Sequence, residues 1–515
     1  MGIAVGALGA YCLGAATVRL RQKAIALFLL AFGTTCLFWG EPEVIVDASR
    51  YFTQAKHLEV YGIGYFLREW GGGIEAWTDM PVIPFLYGMI FRVFGESRIA
   101  IQAFTGLLFA LTSVLTYLVG RELWDEDTGF YGGAFLLGVP YLYSQTPLML
   151  VDVASAFFLL LALFLFLRAM KQGGAWLFLA GAAVFCAFYS KYSAWLGLSV
   201  LGVAAVVYAI RESGGERGRV AERTAIVGGV ALALIGALFL FKYGVISDQI
   251  YLLMTYQKAG LSKWGESFTS TLFFQVHPFI TVLALLSVLA ALRKRDATYL
   301  IVAWLLVIFE ALHIRRIRYS IMVFPMLSLC ASYGLCLLKD DRVRRCIVAC
   351  VVTSSLSVAL FAYLPFLKGL SAVNIQEAGA FLNGMKGQGV EVYSLAPHDP
   401  VVDPGVSVPL LDIFTHKRIL CNYRSRLSEK QRKEIADSSL RFTIEYRNPP
   451  YYLPPLSEKA GAVAVISDTA KDVLPADVSA KLKGFREVKV FDRDEGIFRY
   501  RTCVRIFEPA GGLAR

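Results

Sequence analysis

Five groups of polar residues in this chain have types and spacings that can do chemistry. The first is Asp47, in Glu41-Pro42-Glu43-Val44-Ile45-Val46-Asp47-Ala48-Ser49-Arg50-Tyr51. A carboxylate there can take a proton from an attacking hydroxyl, although acids just past an apolar run are often simply solvated. The second is the pair Glu75 and Asp79, in Gly73-Ile74-Glu75-Ala76-Trp77-Thr78-Asp79-Met80-Pro81. They suit binding of an acceptor or donor, and a polar loop ahead of a proline-started helix explains them equally. The third is Asp152, at the head of an apolar run. An acid at a helix N-terminus gains ~0.3–1 kcal/mol from the helix dipole, so capping is an alternative to a ligand contact. The fourth is Lys191, in Tyr189-Ser190-Lys191-Tyr192-Ser193, where two apolar stretches meet; a snorkelling lysine is its plain alternative. The fifth, His313-Ile314-Arg315-Arg316-Ile317-Arg318-Tyr319, is the strongest site signal. Its planar guanidinium groups suit bidentate binding of an anion such as phosphate.

The elements that must position these groups are apolar. Hydrophobic residues make up 56% of the 515-residue chain and charged residues 18%, too apolar a balance for a soluble globular protein. Apolar runs recur at about 1–18, 24–40, 98–120, 128–147, 152–169, 175–190, 193–210, 224–246, 272–292, 298–312, 319–338 and 346–367. Runs of about 17–23 residues match a hydrocarbon core of ~30 Å. The expectation is an α-helical polytopic membrane protein of about 11–12 transmembrane helices over residues 1–367. The run at 1–18 lacks a basic leader, so an extra span is expected there rather than a cleaved signal peptide.

The net charge of +11 concentrates in short connections and in the C-terminal third. It forms no basic face with interleaved aromatics, so nucleic acid is set aside as a partner. Alternate connections are basic: Arg19 to Lys23, Arg121, Arg168 to Lys171, Arg211 to Arg223, Arg293 to Arg295 and Lys339 to Arg345. If all twelve runs span, these share one side, which the positive-inside bias makes cytoplasmic. The 41–97 loop, Asp152, Lys191, the 313–318 cluster and the tail then fall on the extracytoplasmic side. The arginines at 315–318 break the bias there, and an anionic ligand is the better account of them.

Residues 51–70 mix aromatics with charges, as a helix at headgroup level does, and 81–94 reads as a juxtamembrane or re-entrant helix. After about residue 368 the composition changes. β-Branched segments at 390–395, 462–467, 487–491 and 497–507, with helical stretches near 374–385 and 428–437, predict a soluble α/β domain over 368–515. Most of the nine cysteines fall in or beside apolar runs as small hydrophobes. Cys421 and Cys503 can pair as a disulfide if the tail is extracytoplasmic. No metal-ligand constellation, phosphate-cradling glycine loop or other cofactor signature is evident, so no cofactor is expected.

These features resemble the GT-C superfamily of membrane glycosyltransferases, in particular its protein O-mannosyltransferase and aminoarabinose transferase-like branch. Asp47-Ala48-Ser49-Arg50-Tyr51 is similar to that group's Asp-Glu-x-x-Tyr motif, with Ala48 in place of the second acid. Asp79-Met80-Pro81-Val82 resembles its Lys-Pro-Pro-Leu segment, with Met80 where a basic residue is common. Phe94-Gly95-Glu96-Ser97-Arg98, Val151-Asp152 through Phe157-Phe158, Ser190-Lys191-Tyr192 and Arg318-Tyr319 through Pro325 follow in the family's order.

The resemblance implies a polyprenyl-phosphate sugar donor, dolichyl or undecaprenyl by host, and a protein, lipid or glycan acceptor. It implies inversion, with Asp47 as general base and Arg315, Arg316, Arg318 and Lys191 on the donor phosphate. Asp79, Glu75, Asp152, Tyr51 and Tyr319 are then sugar or acceptor contacts. Two other readings stay open. One is a lipid or solute transporter or flippase, although no internal repeat is evident and the ionisable residues collect at one face. The other is a non-catalytic relative, which Ala48 keeps in view.

Overall fold

A computed structural model of the chain describes residues 20–43, 45–211, 215–257, 271–272, 275–312, 317–397, 402–425, 427–437, 443, 447–453, 460–493 and 500–510. The run at 1–18, and His313, Arg315 and Arg316 with it, lie outside the described residues. The chain divides into two compact units, 1–39 with 78–83 and 102–363, and 40–77 with 84–101 and 364–515.

The first unit is helical. Five helices among the described residues are long and apolar enough to cross a membrane by length and composition: Arg98–Leu123, Asp152–Gln172, Ser193–Arg211, Glu216–Phe241 and Asp341–Gly369. Shorter apolar helices include Ala175–Phe188, Tyr299–Ala311 and Phe324–Leu335. The helix starts carry recognisable caps. Asp125 accepts from the Thr128 amide, Asp340 accepts from the Arg342 amide, and Pro278 opens its helix, where a missing N–H costs nothing.

Small residues let these helices close on one another. A Cβ on Gly334 would stand 2.2 Å from the Leu283 carbonyl oxygen, and one on Gly129 would stand 2.3 Å from that of Tyr117. Buried hydroxyls then reach across the close contacts. Ser332 donates to the Thr128 carbonyl at 2.6 Å and Ser113 to that of Gly133 at 2.9 Å. Runs that read as single spans are interrupted, two of them at prolines. The 128–147 run is Glu126–Leu136 followed by Pro140–Gln145, and the 319–338 run is Ile317–Ser320 followed by Phe324–Leu335. Pro140 and Pro325 cannot sit inside a continuing helix, and each opens a new one.

The second unit joins the early loop to the tail. Its loop part holds the helices Ile45–Tyr61 and Ile63–Glu69, separated at Gly62, whose φ of 87° favours glycine. The stretch read as one headgroup-level helix is therefore bent in two. The 84–94 turns of the Val82–Phe94 helix pack on Ile45–Tyr61 through Gly88, which faces the Leu58 side chain and the Ala55 carbonyl.

Among the described residues the tail forms a five-stranded sheet. Its strands are β1 (Gly389–Ser394), β2 (Arg418–Leu420), β3 (Ala462–Ser467), β4 (Phe485–Phe491) and β5 (Cys503–Pro509), in the order β2-β1-β3-β5-β4. β1 runs parallel to β2 and β3, while β5 runs antiparallel to β3 and β4. Central β3 is buried along its whole length, as its apolar sequence Ala-Val-Ala-Val-Ile requires. Cys421 and Cys503 are free, buried thiols, which corrects the disulfide reading. Cys421 follows β2 and Cys503 opens β5, three strand spacings or ~14 Å away in the sheet order, beyond the reach of a disulfide.

Candidate active site

In the first unit the geometry centres on Asp152. Its helix begins at that residue, and the carboxylate is only 1% exposed. One oxygen receives Lys191 Nζ at 2.5 Å and the other receives Arg318 Nη2 at 2.8 Å. Lys191 occupies the break between the helices Ala175–Phe188 and Ser193–Gly197. Arg318 sits on the single turn Ile317–Ser320, so both cations come from interruptions in apolar helices. Lys191 Nζ also lies 4.4 Å from the centroid of the Tyr319 ring, and the Tyr192 and Tyr319 hydroxyls hydrogen-bond to each other. One buried acid thus holds two cations, Lys191 buried and Arg318 half-buried.

The Asp79 segment packs beside this cluster. The Val82 amide donates to the Tyr189 carbonyl at 3.1 Å, and Met80 packs with Tyr189 and Tyr192. Gln249 Nε2 donates to the Asp79 carbonyl at 2.7 Å. Of the residues picked from sequence, Asp79, Asp152, Lys191, Arg318 and Tyr319 therefore belong to the first unit.

Asp47, Tyr51 and Glu75 belong to the second. Asp47 stands in the first turn of Ile45–Tyr61, with Tyr51 buried one turn on. Glu75 is carried by a tight loop in which the Gly71 amide donates to the Ile74 carbonyl at 2.9 Å. Gln54 Nε2 ties that loop to the helix by donating to the Glu75 carbonyl at 3.0 Å.

A partly buried ionic network went unread in the sequence. Lys56 Nζ contacts Asp412 at 2.7 Å and Glu96 at 2.8 Å, and the Tyr452 hydroxyl donates to Asp412 at 2.7 Å. Lys56 and Asp412 are 356 residues apart, so only the fold pairs them. Burial pushes Glu96 up to about 7 and Asp412 up to about 6, against the pull of Lys56. Glu59, hydrogen-bonded to Glu96, raises it further. Carboxyl groups raised on folding contribute stability that is full below their unfolded values and is lost as pH rises through the folded ones. The wild type should therefore lose thermal stability relative to Glu96→Gln between roughly pH 5 and pH 8. A gap that stays constant across that range, measured by thermal unfolding in detergent, would remove this account.

A second buried acid follows a similar logic. Glu41 is 0% exposed, and burial holds it well above the usual carboxylate range against the nearby Arg98 guanidinium. Arg98 instead spends its donors on Glu43 at 3.1 Å and on the Glu41 carbonyl at 2.6 Å.

The interrupted helices, the early acid-bearing loop and the tail sheet can be set beside proteins of known fold. Residues 78–241, about a third of the chain, match the family model described as dolichyl-phosphate-mannose-protein mannosyltransferase. Among solved structures the chain is similar to ArnT from Cupriavidus metallidurans bound to undecaprenyl phosphate. Identity is 13%, with 94% of this chain and 97% of that chain covered and a TM-score of 0.58. The apo state of ArnT gives 14%, 94%, 97% and 0.59. The archaeal oligosaccharyltransferase AglB from Archaeoglobus fulgidus, in complex with an inhibitory peptide and a dolichol-phosphate, gives 11%, 93%, 75% and 0.50. Among curated proteins no sequence matches significantly. The chain therefore shares the fold of these solved structures.

Proposed function

We propose that this protein transfers a sugar from a polyprenyl-phosphate carrier to a hydroxyl of a protein, lipid or glycan acceptor, with inversion at the anomeric carbon. The observation that carries the proposal is the buried Asp152 carboxylate holding Lys191 and Arg318 together. A preset pair of cations stabilises charge that develops on a leaving phosphate without reorganising as the reaction proceeds. ArnT was solved with undecaprenyl phosphate and AglB with a dolichol-phosphate, which supports a prenyl-phosphate ligand here. The family model over 78–241 supports a mannosyl-type transfer.

In this reading Asp47 takes the proton of the acceptor hydroxyl as its oxygen attacks the anomeric carbon. The bond from that carbon to the phosphate oxygen breaks, and the polyprenyl phosphate leaves with the electron pair. Arg318 and Lys191, with Arg315 and Arg316, bind the leaving phosphate. Asp152 positions the cations, since both its oxygens are engaged by them. Asp79, Glu75, Tyr51 and Tyr319 are the sugar or acceptor contacts. The side carrying these groups is extracytoplasmic by the lysine and arginine bias of the connections.

The double change Arg315→Ala, Arg318→Ala should raise the apparent KM for the prenyl-phosphate donor by about tenfold or more and leave that for the acceptor much less affected. Equal damage to both constants, in steady-state assays on isolated membranes, would sink the phosphate assignment.

A further inference from the structure

The second unit contains a cavity of about 920 Å³ whose wall, among the described residues, carries Arg50, Arg424 and Arg447 and one acid, Glu75. Arg424 and Arg447 are exposed at its edge, where guanidinium groups remain able to clasp an incoming anion. The wall also carries Trp77, whose φ of 48° is in the left-handed region. A bulky residue held there is strained, and strain of this kind clusters at ligand sites.

His57 supplies the second independent observation. It lines the cavity, is 3% exposed, and has Nδ1 2.8 Å from the Thr53 carbonyl. A carbonyl can only accept, so the ring proton sits on Nδ1 and Nε2 presents a lone pair. Burial lowers the basicity of the ring and keeps it neutral. Nε2 has no hydrogen-bond partner, and neither do the Thr53 hydroxyl and the Asn448 amide oxygen, all from residues of the same wall. Each such buried polar atom is destabilising until something pairs with it.

The sequence spacing links this wall to the proposed base. Asp47, Arg50, Gln54 and His57 stand three, four and three residues apart along Ile45–Tyr61, so they share one helix face. That face runs ~15 Å from Asp47 to His57. A ligand lying along the wall would therefore extend along the face that begins at the proposed base.

We infer that this cavity binds the acceptor, and that the acceptor is an anionic saccharide, a sugar chain or sugar headgroup carrying phosphate or carboxylate. The arginines take the anion through paired N–H donors. The indole covers an apolar sugar face, and His57 Nε2 accepts from a sugar hydroxyl. The word acceptor rests on the transferase proposal, whereas the binding of an anionic saccharide does not.

The test measures binding by isothermal titration to the purified full-length protein in detergent, without donor. The probes are trigalacturonate and a mannose 6-phosphate-terminated trimannoside, with neutral mannotriose and an acidic peptide as controls. At least one anionic saccharide should bind, more weakly as salt rises, with mannotriose at least about tenfold weaker. The stronger probe then tells carboxylate from phosphate. Arg424→Ala with Arg447→Ala should cost about tenfold or more, and His57→Phe, which keeps the ring, about fivefold. Binding of neither anionic saccharide, unchanged binding in both folded variants, or equal binding of the acidic peptide would overturn the inference. Donor cleavage without saccharide binding would sink this inference alone, and saccharide binding without cleavage of any prenyl-phosphate sugar would sink the transferase proposal alone.

Discussion

Asp47→Asn is expected to abolish the proposed sugar transfer in isolated membranes, with turnover falling by about a thousandfold, while the protein still inserts and accumulates. The amide has the size of the carboxylate but cannot take a proton, so what is removed is general-base assistance, worth roughly 10²–10⁴-fold. The measurement is transfer from a panel of prenyl-phosphate sugars at matched protein levels. Near-normal turnover would refute the base assignment, and a matching loss of protein would show a folding defect instead.

The second large effect is expected at Asp152. Asp152→Asn leaves Lys191 and Arg318 side by side in a site where the carboxylate is 1% exposed. Breaking a buried ionic arrangement by removing one partner costs about 3–5 kcal/mol, because the remaining charges stay buried without compensation. A lower thermal midpoint in detergent is expected together with loss of transfer. Adding Lys191→Met removes one of the two opposed cations, so it should restore part of the stability and none of the activity. A single variant as stable as wild type would show that Asp152 does not hold the cations. Recovery of activity in the double variant would show that Lys191 has no part at the phosphate.

The residues of the cation cluster were legible one at a time. Asp152 marks a helix start, Lys191 marks a break between two apolar stretches, and Arg318 violates the charge bias of its side. The helical period and the prolines made the apolar elements visible as well. Even so, Pro140 and Pro325 show that a long apolar run need not be one helix. What spacing did not reveal is that the acid binds both cations, because residues 152, 191 and 318 have no sequence relation. The face Asp47, Arg50, Gln54, His57 was readable from helical spacing once a helix over 45–61 was granted. Its partners Arg424 and Arg447 were not, because their arrival depends on how the tail folds back.

By itself the sequence determined that the chain is a many-helix membrane protein with an α/β tail. Apolar run length against bilayer thickness and the change of strand and helix pattern after about residue 368 are local properties of the chain. The tertiary structure alone decided which charges neutralise each other: Asp152 with Lys191 and Arg318, and Lys56 with Asp412 and Glu96. It also decided that Cys421 and Cys503 stay apart and that His57 faces a cavity. Coulomb attraction and hydrogen bonding act across a few ångströms of space, and the distance between two residues along the chain does not fix their distance in space.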